Sequence, residues 1–229
     1  MFQRSSTRGS KYKKKIEPIY VHIAYEGKED EKAYFEALEE KIGKRFTHLV
    51  TLIPVPKSST QSSPEKVTND LVAHLAKNKI NINKVSNHYG FIVIDKDHFF
   101  NDTHSKKTWD AIVLCQQKGI EIICSNPCFE VWLLCHYIDV SSESEEFRAS
   151  ALENGKVSAN KTFLKKEFSN KRGTDTIDVT LEYTANAYNN EEKLKRLSSD
   201  AEALPPVSLH SNVGKIIKLL DDNGIPLLS

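Results

Sequence analysis

No stretch of this sequence reaches the ~18 consecutive apolar residues that a membrane-spanning helix needs, and no apolar run follows the basic opening, as a secretory leader requires. The expected address is therefore cytoplasmic, where thiols stay reduced. Cysteine is scarce, with four in 229 residues, and their spacing fits no common zinc-ligand pattern. A site using Cys124, Cys128, Cys135 and His136 can be drawn, but small buried thiols are the commoner use of such residues. An excess of either charge is missing too: 32 Lys and Arg against 31 Asp and Glu leave a net charge of +1. No overall field then draws the chain to nucleic acid or to a membrane surface. Internal repeats are also absent.

What is present alternates. Residues 1–16 form a basic tail (Arg4, Arg8, Lys11, Lys13, Lys14, Lys15) with little to bury, either solvated or acting as a phosphate-seeking arm. Ile19 to Tyr25 is rich in β-branched and aromatic residues and reads as a strand. From Glu29 the apolar period becomes helical through Ala33, Phe35, Leu38 and Ile42. His48 to Val55 reads as a second strand, a polar loop follows, and Pro64 opens a helix. Tyr89 to Ile94 and Glu121 to Cys124 read as strands buried on both faces, separated by a helix over Lys106 to Lys118 that Gly119 terminates. Asn126 is expected to cap, and Pro127 to open, a helix running to about Tyr137. This order predicts an α/β domain over 17–140, a mainly parallel sheet flanked by helices. Residues 141–160 read as a flexible loop or insertion, and 161–229 as a helical C-terminal lobe.

In open parallel sheets, ligands bind beyond the carboxyl ends of the strands. There the first strand delivers Glu26, the third Asp95 and Asp97, and the fourth Ser125 and Asn126. Two carboxylates at ~4 Å repel by about 4 kcal/mol at an effective dielectric of roughly 20, so a protein gathers them only by protonating one or binding a cation. Oxygen donors without a matching His and Cys set favour Mg²⁺ or Mn²⁺. Glu26, Asp95 and Asp97 are thus the leading metal ligands, with Glu31 as a further one. Each has a blander use: Glu29 and Asp30 suit the positive end of a helix dipole, and Asp95 and Asp97 could be solvated loop acids. Lys28 and Lys96 could contact substrate phosphate or face water. Glu130 lies in an apolar helix start, where a buried carboxylate must find a cation or donors. His98 and His136 are secondary candidates, though a core or capping histidine is the commoner outcome.

These residues carry a likeness. Tyr25-Glu-Gly-Lys-Glu-Asp-Glu31 with Ala33-Tyr-Phe35 resembles the E-G-x-x-T-E-x-x-Y-F opening of RloB-like proteins. Phe91 to His98 resembles their D-x-D segment, and Ser125-Asn-Pro-Cys-Phe-Glu-Val-Trp-Leu-Leu-Cys-His-Tyr137 their S-N-P-x-F-E-x-W-L-L-x-H block. Beyond residue 140 the likeness rests on Ser211-Asn-Val-Gly-Lys215 and the helices before it. The resemblance implies a Toprim fold and a metal-dependent nuclease acting on RNA, tRNA included, or on DNA in phage defence by abortive infection. It also implies an ABC-type or AAA-type ATPase as partner. Glu26 matches the Toprim glutamate, Asp95 and Asp97 the metal pair, and Glu31 the second glutamate of the opening motif. Asn126, Glu130 and His136 match the third block. Asp30 stands where the family pattern has Thr. A non-catalytic regulatory subunit and a primase-like phosphoryl-transfer enzyme are the alternatives.

Overall fold

A computed structural model describes residues 18–58, 63–96, 100–159, 161–198 and 203–228, with the backbone alone at 102–104. Four strands, β1 (Ile19–Tyr25), β2 (Val50–Pro54), β3 (His88–Asp95) and β4 (Ile120–Ser125), pair in parallel in the order β2-β1-β3-β4. Three helices make the crossovers: α1 (Asp30–Gly43), α2 (Pro64–Lys77) and α3 (Asp102–Lys118). The fold class is α/β, consistent with a Toprim-like arrangement. Capping follows local chemistry. Ser63 Oγ accepts the Lys66 amide at 3.3 Å ahead of Pro64, and Gly119, at φ 69°, ends α3 in the left-handed region.

Side chains alternate across the sheet. Val21, Ile23, Tyr25, Phe91 and Val93 face α1 and the short helix α4 (Glu130–Cys135), whereas Ala24, Ile92, Ile94 and Cys124 face α2 and α3. Strands β1 and β3 are covered on both sides, which is why their sequences run apolar instead of alternating with polar residues.

Two expectations are corrected here. The polar segment 141–160, expected as a loop, holds helix α5 (Glu145–Glu153), whose N-terminus is capped by Ser144 Oγ on the Phe147 amide at 3.1 Å, followed by strand β5 (Lys156–Ser158). Only Ala151 of α5 is buried, so no apolar stripe announced it. The helix expected from Asn126 begins at Glu130 instead. Asn126 lies four residues before that start and is not its cap; its side chain turns elsewhere, with Nδ2 facing the carbonyls of Pro206, Val207 and Ser208 at 3.0, 2.8 and 2.7 Å.

The remaining elements are β6 (Lys161–Thr162), paired with β5, and the helices α6 (Phe163–Arg172), α7 (Ile177–Glu182), α8 (Thr184–Arg196) and α9 (Gly214–Asp222). Leu164, Phe168, Leu181, Ala187, Ile216 and Ile217 join the same buried cluster as the α1/α4 face of the sheet, so these helices extend the core of the sheet. The Ser211 to Lys215 motif is a brace within it. Asn212 Oδ1 accepts the Cys124 amide at 2.8 Å, satisfying part of the outer edge of β4. The fully buried Glu191 of α8 accepts the Gly214 amide at 3.2 Å and pairs with Lys195 at 2.8 Å. A Cβ on Gly214 would stand 2.3 Å from that carboxylate, so the close approach requires glycine.

Removing the Glu191 carboxylate leaves Lys195 with the partly exposed Glu192 alone and the buried Gly214 amide without its acceptor, at a cost of roughly 1–3 kcal/mol. Glu191→Ala is therefore expected to lower the unfolding free energy, measured by urea titration, by an amount of that order. The double variant Glu191→Met/Lys195→Met should recover much of the loss. Equal midpoints for wild type and Glu191→Ala would show that the brace contributes nothing.

Candidate active site

The carboxyl edge of the sheet is assembled by register. Tyr25 lies opposite Val93, which places Glu26 and Asp95 at the ends of adjacent strands. Glu26 continues the β1 ladder by donating its amide to Val93 O at 3.0 Å, and its Oε2 accepts the Asp95 amide at 3.3 Å. Asp95 in turn lies opposite Ser125 of β4, and the Lys96 amide donates to Ser125 O at 2.8 Å. Three consecutive strand ends are thereby stitched together. Alternation carried past Tyr25 sets Glu26 on the α2/α3 side of the rim and Asp95 on the α1/α4 side.

On that second side a cleft of about 620 Å³ opens, lined by Asp95, Glu31, Glu130, Cys128 and Lys165 among others. Glu31 comes from the first turn of α1 and Glu130 from the start of α4, and they are 7% and 6% exposed. Gly27 makes the approach of Glu31 possible, since a Cβ there would fall 1.6 Å from Glu31 Oε2. The absence of a side chain at this glycine lets a carboxylate lie against the backbone. Lys165 reaches over from α6, with Nζ 3.5 Å from Glu130 Oε1 and 3.8 Å from Asp30 Oδ2. Asn154 Nδ2 donates to Cys128 Sγ at 3.3 Å.

The electrostatics follow from burial and like charge. Burial raises the Glu31 pKa to about 7, and the neighbouring Glu130 and Asp30 push it the same way, while the backbone amides of Gly27 and Glu31 pull against them. Burial, Glu130 and Asp95 hold the Cys128 thiol well above the usual range, so it is a neutral group hydrogen-bonded to Glu130. For Lys165, burial works against the charge, but Glu130 and Asp30 outweigh it and raise the pKa.

The sequence candidates thus separate. Glu26, Glu31, Asp95 and Glu130 gather at one rim, with Lys28 at the mouth of the cleft. Asn126 is a structural tie to the 206–208 segment, and its backbone pairs with His210. His136 is fully enclosed in the aromatic core, where its Nδ1 lies 3.0 Å from Trp132 O and its Nε2 3.4 Å from the Tyr34 hydroxyl. Neither lines the cleft. Asp97 and His98 lie outside the described residues. Lys165 and Asn154 were not singled out by sequence, and Cys128 was considered only as one ligand of a possible zinc site. Lys165 sits in a polar helix among other lysines, and nothing local distinguishes it.

An all-carboxylate donor set suits a hard cation such as Mg²⁺ or Mn²⁺. Among the described residues no three His, Cys, Asp or Glu side chains are grouped closely enough to hold an ion. Glu31 and Glu130 instead face one another across the cleft, whereas Glu26 meets Asp95 through the Asp95 backbone amide, with the two side chains on opposite sides of the rim. The donor chemistry fits a divalent ion, and the described carboxylates do not by themselves close the site.

The raised pKa of Glu31 has a sign. Between pH 4.5 and about 7 the folded chain keeps a proton that the unfolded chain has lost, so stability falls as pH rises through that window. Glu31→Gln, measured in EDTA, is expected to be more stable than wild type at pH 8, by on the order of 1–3 kcal/mol. The advantage should vanish near pH 4.5. A pH-independent difference in melting temperature would contradict this assignment.

No curated protein and no solved structure matches the chain. The family model described as RloB-like protein matches residues 21–220, which reaches well past the three sequence blocks and into α9. It covers Glu26, Glu31, Asp95 and Glu130 together with Lys165 and the Glu191 brace. With most of its length matched, this chain belongs to the RloB-like family.

Proposed function

We propose that this protein is a Mg²⁺- or Mn²⁺-dependent nuclease of Toprim type acting on RNA or DNA. The observation that carries the reading is the gathering of Glu26, Asp95, Glu31 and Glu130, three of them less than a tenth exposed, at the carboxyl rim of a parallel sheet. Such a concentration of buried acid costs stability unless a cation joins it. Glu26 and Asp95, with Asp97, would hold the ion, which when bound polarises a phosphoryl oxygen and orients the attacking one. The chain's own residues do the rest. Glu31 carries a proton at its carboxyl group in the absence of a cation and yields it near neutral pH, a value suited to general acid–base work. Lys28 at the mouth supplies charge toward a phosphate, and the Asp95 amide fixes the Glu26 carboxylate.

A role in phage defence by abortive infection, a cytoplasmic location, and control by an ABC-type or AAA-type ATPase are further parts of the proposal, resting on the family resemblance. The near-zero net charge fits a substrate held by local patches or through a partner. A second reading is a non-catalytic subunit of such an assembly. It is favoured by Lys165, which partly neutralises Glu130 and Asp30 without any metal.

Incubation with tRNA and with plasmid DNA, each with Mg²⁺ or Mn²⁺ and with the ATPase partner added in parallel, separates the two. Cleavage is expected for wild type. Glu26→Gln and Asp95→Asn should each lose at least ~10²-fold, the lower end for a group acting on the reacting atoms. Cleavage at equal rates in wild type and both variants would remove the chemistry from this rim.

A further inference from the structure

Beside the acidic cleft, and sharing Gly27 and Lys28 with it, lies a second hollow of about 380 Å³. That size falls within the range of small-ligand sites. Tyr25, Pro54 and Pro56 wall it, Lys28, Lys32 and Lys57 bring three ammonium groups to it, and Glu36 brings one carboxylate, so positive charge is in excess. Pro54 ends β2, so the hollow is built on the carboxyl edge of the same sheet, against the β1–β2 pair.

Lys57 is the residue that ties the two hollows together. Its Nζ donates to the backbone carbonyl of Glu26, so a cation of the second hollow is held by the residue whose side chain belongs to the acidic rim. Burial presses on this ammonium and lowers its pKa; Glu26, Glu31 and Asp70 offset part of the effect, and the like charge of Lys28 adds to it. Lys32 is 3.9 Å from Glu36, with both side chains about half exposed, a pairing too weak to neutralise the site. Clustered ammonium groups raise the same question as clustered carboxylates. The answer of opposite sign is an anion, and lysines over rigid apolar walls suit a phosphate with its sugar attached.

We propose that this hollow receives a phosphodiester of one nucleic-acid strand, next to the phosphate presented to the acidic cleft. Lys57 and Lys28 take its oxygens, and Tyr25, Pro54 and Pro56 wall the sugar. The site deepens the nuclease reading and rests on it, and it names the sugar–phosphate strand as the element recognised.

Binding without metal tests it. A fluorescein-labelled single-stranded RNA 12-mer and its DNA counterpart are titrated with the full chain in EDTA, and anisotropy is followed over a salt series. Lys57→Met is expected to weaken binding about tenfold and to lower the slope of log affinity against log salt by about 0.7, the share of one phosphate contact on a single strand. Lys57→Arg should keep both. Lys44→Met, which removes an equal charge from the far end of α1, should change neither, and melting curves confirm that each variant is folded. Wild-type affinity and slope in Lys57→Met would overturn the proposal, as would absence of wild-type binding. Complete displacement of the strand by millimolar inorganic phosphate would overturn it in favour of a free-phosphate site. The companion cleavage assay separates the two readings. Binding through Lys57 with no cleavage in Mg²⁺ or Mn²⁺ defeats the nuclease and leaves the subsite, whereas cleavage with unaltered Lys57→Met binding does the reverse.

Discussion

Glu31 and Glu130, each less than a tenth exposed, repel one another across the cleft, and much of the carboxyl edge is arranged to make that tolerable. A proton shared into the pair near neutral pH relieves part of the cost. Lys165 relieves another part at 3.5 Å, and the neutral Cys128 thiol contributes a hydrogen bond to Glu130. Gly27 has no side chain because the Glu31 carboxylate occupies the space where one would stand. Each of these features is unnecessary in a site without excess negative charge. Together they describe a rim whose negative charge is met by a proton and a lysine, with a cation as the counter-charge we propose.

The rest of the fold serves that edge. Parallel pairing brings Glu26, Asp95 and Ser125 to the same end of three adjacent strands. Helix α4 sets Glu130 facing α1, and the C-terminal helices carry Lys165 into the cleft while sharing the core of the sheet. The Glu191 brace, although far from the rim in sequence, holds α8 to the start of α9, and Asn212 beside it fastens β4. A nuclease reading would therefore make the helical region part of the active site, in keeping with a family match that runs to residue 220.

Much of this was legible in the sequence. The strand at Ile19–Tyr25, the Pro64 helix start and the Gly119 stop follow from propensity and capping, and buried parallel strands read as unbroken apolar runs. Glu26 and Asp95 stood out because a carboxylate at the end of an apolar strand has few other reasons to be there. Three things stayed hidden. Helix α5 buries only Ala151, so it lacked a stripe to read. Asn126 looked like a helix cap because its real partners, the carbonyls of 206–208, are some eighty residues away. Lys57 and Lys165 were ordinary lysines until the fold brought one to the Glu26 carbonyl and the other to Glu130. Local chemistry announces strands and caps; it does not announce which distant cation a buried acid will meet.

The central claim is that this rim binds a divalent cation through its strand-end carboxylates. Titration of the metal-free chain with Mn²⁺, followed by the loss of the free-ion electron paramagnetic resonance signal, measures that directly. Saturable binding that Asp95→Asn and Glu26→Gln each weaken at least tenfold is expected. Binding that is unchanged in both variants, or no saturable binding by wild type, would contradict it.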